Sequence, residues 1–288
     1  MTAPPASSDP SKIRTIDLGG QQAVPVLGQG TWRMGEDGSL RAQEAAALRA
    51  GVELGLTLID TAEMYGDGAT ETFLGEALAG LRGQVFLVSK VYPQNAGRGR
   101  IEQACEGSLR RLRTDHLDLY LLHWRGSIPL AETIEGMEAL LRAGRIKAWG
   151  VSNFDTADMA ELFAAGGEAC ATNQVLYNIT ERGPEFSLLP NLAQRGIPAM
   201  AYSPVGQGDI PTSRALSSVA ERHGATAYQI ALAWVLRHPN VLAIPKAASA
   251  RHVEENRRAA DLVLTPDDLR LLDAEFAPPS RKTPLAML

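Results

Sequence analysis

Short apolar runs alternate with longer segments of helical spacing along almost the whole chain. Eight such runs occur after residue 25, and nearly all of them are followed by a predicted helix. This alternation predicts a parallel sheet, and eight units in roughly 250 residues are what a closed (β/α)8 barrel, the TIM barrel architecture, requires. The predicted strands are 26–30, 56–60, 85–90, 117–123, 146–152, 171–176, 197–203 and 241–245.

The helices and the first residues complete this α/β prediction. Residues 13–18 and 23–26 predict an N-terminal β-hairpin that caps the barrel. Residues 1–12 are rich in Ala, Pro and Ser and predict a flexible tail rather than a signal peptide, so that 13–288 form a single barrel domain. Ser39 is the expected cap of the first helix. The predicted helices are 39–54, 69–79, 101–112, 130–143, 157–165, 186–195, 215–223, 227–237 and 266–274.

A doubly wound open sheet is the alternative architecture. Its usual sign is a Gly-x-Gly-x-x-Gly turn directly after the first strand. Residues 28–33 read Gly-Gln-Gly-Thr-Trp-Arg instead. The closed barrel therefore remains the preferred fold.

Composition narrows the classes of partner. The formal net charge is −5 and no dense basic stripe is present, which disfavours a nucleic-acid partner. No segment approaches the ~20 apolar residues that cross a bilayer, so no membrane partner is expected. Cys105 and Cys170 lack the spacing of a metal site or a disulfide framework, and we expect both to be reduced and structural. A cytoplasmic protein with a small-molecule substrate and no metal fits these features.

Polar side chains stand at or just after the carboxyl ends of three predicted strands. They are Asp60 with Tyr65 in the following loop, Lys90, and His123. Catalytic groups of a barrel lie at this end of the strands, so the four side chains should meet at one mouth. Singly, each has an ordinary explanation: Asp60 could cap the next helix, Tyr65 could be a loop aromatic, and a lysine or histidine at a strand end is often merely solvated. Together they favour an active site.

Several independent motifs resemble those of the aldo-keto reductases. The motifs occur in the family's order over about residues 14–275. Within the family, the chain most resembles bacterial reductases of small aldehydes, including methylglyoxal. The motifs are Asp-Thr-Ala-Glu-Met-Tyr-Gly at 60–66, Val-Ser-Lys at 88–90, Leu-Leu-His-Trp at 121–124, Gly-Val-Ser-Asn at 150–153, Asn-Gln at 173–174, Ala-Tyr-Ser-Pro at 201–204 and Ile-Pro-Lys at 244–246.

The resemblance implies reduction of a carbonyl by hydride transfer from a nicotinamide cofactor. Tyr65 would be the general acid, and Lys90 would lower the tyrosine pKa from its ordinary value of about 10. Asp60 would pair with Lys90 and hold it in place. His123 would orient the carbonyl towards hydride and proton.

The resemblance also implies the cofactor contacts. Ser152, Asn153 and Gln174 would bind the nicotinamide carboxamide, and Tyr202 would stack on the ring. Residues 203–211 would form the loop near the pyrophosphate. NADP(H) is the expected cofactor, with Lys246 as a contact for its 2′-phosphate. Many relatives also have a hydroxyl residue and an arginine after this lysine; here those positions are Ala247 and His252, so NAD(H) is possible as well. Ser249 and Arg251 are possible substitutes for the two missing side chains. The complete set of expected cofactor residues is Thr31, Trp32, Ser152, Asn153, Gln174, Tyr202, Ser203, Pro204, Ile244, Lys246, His252, Glu255 and Asn256.

The substrate wall is expected to consist of Trp32, Met64, Trp124 and a C-terminal loop, 278–288, over the active site. A largely apolar wall suits small aldehydes and α-dicarbonyls better than phosphorylated sugars. The resemblance favours a monomer. Two other functions are open at this point: a non-catalytic dinucleotide-binding regulatory barrel, and an isomerase or aldolase that forms a Schiff base on Lys90.

Overall fold

A parallel sheet of eight strands forms the centre of the computed structural model, which describes residues 13–19 and 23–288. All eight predicted strands are present, most of them shorter than expected, and each pairs with the next strand along the chain. Because each of these pairings is parallel, all the strand carboxyl ends lie at one end of the sheet. The strands are β3 (Gln29–Gly30), β4 (Leu58–Asp60), β5 (Phe86–Val91), β6 (Leu119–Leu122), β7 (Trp149–Ser152), β8 (Asn173–Leu176), β9 (Ala199–Tyr202) and β10 (Val241–Ala243).

The sheet closes on itself between its first and last strands. Parallel bridges join Leu27 to Ala243 and Gly30 to Lys246. The amide of Gly28 donates to Ala243 O at 2.8 Å, and the amide of Ala243 donates to Val26 O at 2.8 Å. We call this β3–β10 junction the seam. It makes the predicted (β/α)8 barrel a closed one.

Ten α-helices occur in the described residues, nine of them at the predicted places. The tenth, α9, was not predicted, although Ser249 caps it by accepting from the His252 amide and arginines occupy its last turn. The helices are α1 (Arg41–Glu53), α2 (Ala69–Ala77), α3 (Arg100–Leu112), α4 (Leu130–Arg142), α5 (Thr156–Ala164), α6 (Leu188–Gln194), α7 (Arg214–His223), α8 (Ala227–Leu236), α9 (Ala250–Ala259) and α10 (Pro266–Glu275).

The predicted cap of α1 is wrong. Leu40 occupies the N-cap position and provides no side-chain hydrogen bond. Ser39 instead turns back, and both its amide and its hydroxyl donate to Asp37 Oδ1, at 2.8 and 2.6 Å. A serine satisfies a nearby turn as readily as a helix end, which is why its position alone misplaced the cap.

The predicted hairpin lies at the end of the barrel opposite the strand carboxyl ends. Strands β1 (Thr15–Asp17) and β2 (Ala23–Pro25) pair antiparallel. Arg14 ties the hairpin to the loop before β10 by donating to Leu236 O at 2.8 Å and Pro239 O at 3.0 Å. The predicted tail, 1–12, and part of the hairpin turn lie outside the described residues. The other end of the barrel is therefore left open for a site.

The C-terminal segment crosses that open end. Arg182 donates to Phe276 O and pairs with Asp273 at 2.7 Å, which anchors the start of the segment. Lys282 lies 3.4 Å from Asp155. The backbone of Leu288 reaches the hydroxyl of Tyr202. This arrangement is the C-terminal loop expected over the mouth.

Within residues 13–19 and 23–288, no helix has both the length and the apolar character to span a membrane. In the same part of the chain, no three His, Cys, Asp or Glu side chains come together as a metal site. Cys105 and Cys170 are buried free thiols, as predicted.

Candidate active site

Lys90 is the centre of the site and is completely buried. It lies on β5, and its ammonium donates to Asp60 Oδ2 and to Thr61 O at 2.8 Å each, and to the hydroxyl of Tyr65 at 3.1 Å. The three contacts use all three donors of an ammonium. Asp60 therefore contacts Lys90 and does not cap the following helix.

The loop that carries Tyr65 has an unusual backbone. The three residues after Tyr65 all have positive φ: Gly66 at 56°, Asp67 at 50° and Gly68 at 89°. Glycine adopts this left-handed region without the steric cost that a Cβ brings. At Gly68 a Cβ would also lie 2.6 Å from the side chain of Arg111. The sharp turn directs Tyr65 back towards Lys90 before α2 begins.

The charges around Tyr65 correct one expectation from the sequence. Burial raises the pKa of Tyr65, Lys90 opposes this rise, and the net direction is upward rather than downward. Burial also disfavours the ammonium of Lys90, but Asp60 and Tyr65 outweigh it and raise the pKa of Lys90. The physical reason is that dehydration of a phenolate costs more than one neighbouring cation returns. Tyr65 thus keeps its proton at neutral pH, beside a fixed cation.

His123 directly follows β6 and faces Tyr65. The two ring centroids are 6.1 Å apart, with the rings inclined at 72°. The imidazole is 7% exposed, and in the described part of the chain its Nδ1 has no hydrogen-bond partner. Burial, followed by the charge of Lys90, lowers the pKa of His123 to about 2. The ring is therefore neutral throughout the physiological range.

The side chains expected to bind the carboxamide come from adjacent strands, β7 and β8. Ser152 Oγ donates to the backbone carbonyl of Gln174 at 2.9 Å. Asn153, in a left-handed conformation with φ of 59°, donates to His123 O at 3.1 Å. Tyr202, at the end of β9, donates to Asn153 Oδ1 at 3.0 Å. The structure brings these four residues together beside the catalytic candidates.

Other residues expected at the cofactor are placed less uniformly. Thr31 is fully buried, and its hydroxyl donates to Asp60 O at 2.8 Å, so it supports the end of β4 rather than offering a free hydroxyl. Ser203 has a φ of 47°, and its carbonyl accepts from Asn178 at 3.0 Å. Pro204 and Ile244 are buried.

The residues expected at the adenosine end of the cofactor follow the seam along the chain. Lys246 is exposed and stands 3.7 Å from the buried carboxylate of Glu44. His252 is exposed in the first turn of α9, and Asn256, one turn further on, is half-buried. Arg251 donates to Glu255 at 2.9 Å. Arg251, considered as a substitute for the missing arginine, is therefore already paired with a residue expected to touch the adenine.

The expected substrate wall is aromatic. Trp124 lies against His123, with ring centroids 4.9 Å apart, and meets Tyr92 edge-on at 5.8 Å. Trp32 is 38% exposed, and the guanidinium of Arg33 lies 4.4 Å from its ring centroid. Met64 is half-buried in the loop before Tyr65. That Trp32, Met64 and Trp124 line the substrate wall stays a prediction.

Sequence reasoning missed the groups that support the Tyr65 loop. Glu63 accepts from the Tyr92 amide at 2.7 Å and from Asn95 at 3.1 Å, which joins this loop to the one after β5. Behind the sheet, the buried carboxylate of Glu71 accepts from Ser89 at 2.6 Å and from Arg111 at 2.7 Å. Glu63 lies inside the Asp-Thr-Ala-Glu-Met-Tyr-Gly motif at 60–66, so its position was a usable signal. Nothing in the sequence pairs Glu71 with Arg111.

A methylglyoxal reductase of Escherichia coli, YeaE, is 52% identical over 96% of this chain and 99% of its own length. A glyoxal reductase of Bacillus subtilis is 31% identical over 90% of this chain and 92% of its own. An aldo/keto reductase from Klebsiella pneumoniae, crystallised with NADP and acetate, superposes with a TM-score of 0.93 at 54% identity, covering 96% and 100% of the two chains. The family model for aldo/keto reductases matches residues 26–275, and the chain belongs to the aldo/keto reductase family.

Proposed function

We propose that this protein reduces small aldehydes and α-dicarbonyls, methylglyoxal among them, with NADPH as the hydride donor. The observation that carries the proposal is the contact of the buried Lys90 ammonium with the Tyr65 hydroxyl, at 3.1 Å, in the mouth of the barrel beside His123. Two relatives support the substrate and the cofactor: the Escherichia coli protein is named for methylglyoxal reduction, and the Klebsiella pneumoniae protein was crystallised with NADP.

Tyr65 and Lys90 together can deliver a proton to the product oxygen. A carbonyl that accepts hydride becomes an alkoxide, which is basic enough to take the phenolic proton. The resulting phenolate would face the Lys90 ammonium, which stabilises it in a water-poor site. Asp60 fixes that ammonium at 2.8 Å. The raised pKa of Tyr65 keeps its proton available until hydride arrives.

His123 would orient the substrate rather than move a proton. Its pKa of about 2 leaves the imidazole neutral, so an N–H of the ring can donate a hydrogen bond to a carbonyl oxygen without transferring its proton. The adjoining residues fit a nicotinamide: Ser152, Asn153 and Gln174 present polar atoms from neighbouring strands, and Tyr202 offers a flat ring. When bound there, NADPH supplies the hydride.

The Lys90 geometry disfavours the Schiff-base alternative. A lysine nucleophile needs a neutral amine with a free lone pair. The raised pKa of Lys90 keeps it protonated, and all three of its donors are engaged. For the regulatory barrel, we find no feature that favours it over catalysis.

The adenosine end supports NADPH less strongly than the nicotinamide end supports hydride transfer. Lys246 and Arg251 are the cations available here for a 2′-phosphate, and each lies beside a carboxylate, Glu44 at 3.7 Å and Glu255 at 2.9 Å. A planar arginine fork at the His252 position would add bidentate contacts that this chain lacks. We therefore expect NADPH to be preferred by a modest margin, with measurable activity from NADH.

Steady-state assays of methylglyoxal reduction with NADPH and with NADH test the function and the cofactor choice together. The variant Tyr65→Phe should bind NADPH normally and lose at least ~1,000-fold in kcat, because it lacks the general acid. Tyr120→Phe is the matched control. It also removes one phenol, but the Tyr120 hydroxyl is buried away from the mouth and has no partner in the described residues. An active Tyr65→Phe enzyme would overturn the assigned acid.

We also propose that the chain acts as a cytoplasmic monomer built as one catalytic domain over 13–288. The continuous order of barrel strands along the chain supports a single domain. Light scattering after size-exclusion chromatography should give a mass near the 30.9 kDa of one chain. A stable dimer at micromolar concentration would contradict the monomer.

A further inference from the structure

Gln174, on β8, makes a contact that carboxamide binding does not require. Its side chain is 1% exposed, and Nε2 lies 2.8 Å from Asp60 Oδ1 and 2.8 Å from Met200 Sδ. A carboxylate oxygen and a thioether sulfur can only accept hydrogen bonds. The amide nitrogen must therefore face them both, which fixes the orientation of the whole side chain.

The Asp60 carboxylate is consequently held at both oxygens. Oδ2 accepts from Lys90 and Oδ1 accepts from Gln174, each at 2.8 Å. The carboxylate is 2% exposed, so water does not compensate for a lost donor there. Among the described residues, Gln174 Oε1 accepts no hydrogen bond and stays available to a donor at the mouth.

We propose that Gln174 is a positioning residue of the reaction, whose amide nitrogen locks Asp60 for its contact with Lys90 while its amide oxygen is left for the nicotinamide carboxamide. The proposal rests on the carbonyl reductase function proposed above. Gln174 would thus have a second role besides the expected cofactor contact, because its hydrogen bond to Asp60 affects the proton donor Tyr65 through Lys90.

The direction of the effect follows from charge. A hydrogen bond from Gln174 draws negative charge on Asp60 away from Lys90. Without it, Asp60 attracts the Lys90 ammonium more strongly, and less of that positive charge is available to stabilise a Tyr65 phenolate. Tyr65 should then release its proton less readily. The other titratable groups facing Tyr65 are His123 after β6 and Tyr202 on β9, and neither contacts the Gln174 amide nitrogen.

Gln174→Met tests this consequence, because methionine has a similar length and neither donates nor accepts strongly. We expect kcat for methylglyoxal to fall by roughly tenfold and the alkaline limb of kcat/KM to move up by about half a pH unit. Ser152→Ala is the matched control. It also loses an expected carboxamide contact but does not touch Asp60, so NADPH affinity should weaken while the alkaline limb stays in place. Gln29→Met removes another buried glutamine that donates twice, to Leu48 O and Leu56 O, and controls for lost stability.

A second measurement needs neither cofactor nor turnover. In Gln174→Glu a carboxyl faces Asp60 Oδ1 at hydrogen-bond distance, and two adjacent carboxylates cannot both be ionised. The new carboxyl then has a raised pKa in the folded protein, so its stability contribution is lost as pH rises. We expect the urea midpoint of this variant to fall relative to wild type by about 1 M between pH 5 and pH 8.

These results separate the failure of the inference from failure of the function. An alkaline limb that stays in place or moves down in Gln174→Met overturns the positioning role, as does a Gln174→Glu midpoint that follows wild type across pH. If wild type reduces no carbonyl with either cofactor, the proposed function fails, and the Gln174→Glu unfolding series alone then decides whether Gln174 locks Asp60.

Discussion

The neutrality of buried His123 can be measured as a pH-dependent loss of stability. The folded protein keeps this imidazole uncharged, because burial and then Lys90 lower its pKa from the ordinary 6.5 to about 2. The unfolded chain protonates it at its ordinary pKa. Between these two values the unfolded state binds one more proton than the folded state, so stability falls as pH falls below 6.5.

The size of this loss at pH 5 depends little on the folded-state pKa, provided that value lies well below 5. At pH 5 the unfolded imidazole is 1.5 pH units below its ordinary pKa of 6.5. At 1.36 kcal/mol per unit, His123 should then cost about 2 kcal/mol of unfolding free energy at pH 5 and almost nothing at pH 7.5. Replacement by a residue that does not titrate should abolish that part of the pH dependence.

Urea unfolding of the cofactor-free protein at pH 5.0 and pH 7.5 measures the effect. Between these pH values, wild type should lose about 2 kcal/mol more than His123→Gln. His252→Gln is the matched control, because it makes the same substitution at an exposed histidine, on α9. If wild type and His123→Gln lose the same free energy, the folded protein protonates His123. The neutral-imidazole role in substrate orientation would then be refuted.

Two further predictions concern other buried groups. Lys90→Met leaves the Asp60 carboxylate buried without its cation, which should cost about 3–5 kcal/mol in urea unfolding and abolish turnover; adding Asp60→Asn should restore part of the stability but not the activity. Burial raises the pKa of both Cys105 and Cys170 to about 12, so iodoacetamide at pH 7.5 should label neither thiol in the native protein and both in urea, as read by mass spectrometry.

The barrel and the convergence of its candidate catalytic residues were predictable because both follow from periodicity. The predicted strands that carry Asp60, Lys90 and His123 change from apolar to polar residues near their carboxyl ends, and a parallel barrel brings those ends to one mouth. Asp60 and Lys90 lie on adjacent strands, so their contact needed no knowledge of loop structure. At Asp60 and Lys90, the sequence pattern that marks the strand ends and the order of strands in the barrel therefore indicate the same contact.

Other features depend on three-dimensional contacts that no short pattern encodes. The rise in the Tyr65 pKa results from how completely the folded chain surrounds the phenol, whereas the sequence identified only the nearby cation. Helix α9 is strongly polar and has few apolar residues to mark it as a helix, although Ser249 caps it. The contact of Gln174 with Asp60 spans 114 residues and depends on their rotamers across the barrel interior.

The seam gives barrel closure a role in ligand binding. Thr31 and Trp32 follow its first strand and Lys246 lies at its other side, so both flanks of the proposed dinucleotide site come into register only when β3 and β10 are paired. A dinucleotide that bridges them would bind only the closed form and therefore oppose local opening. Saturating NADPH should then slow native-state hydrogen exchange most at the amides of Gly28, Gly30 and Ala243. In this protein, the bound cofactor would therefore stabilise the pairing of the first and last strands of the barrel.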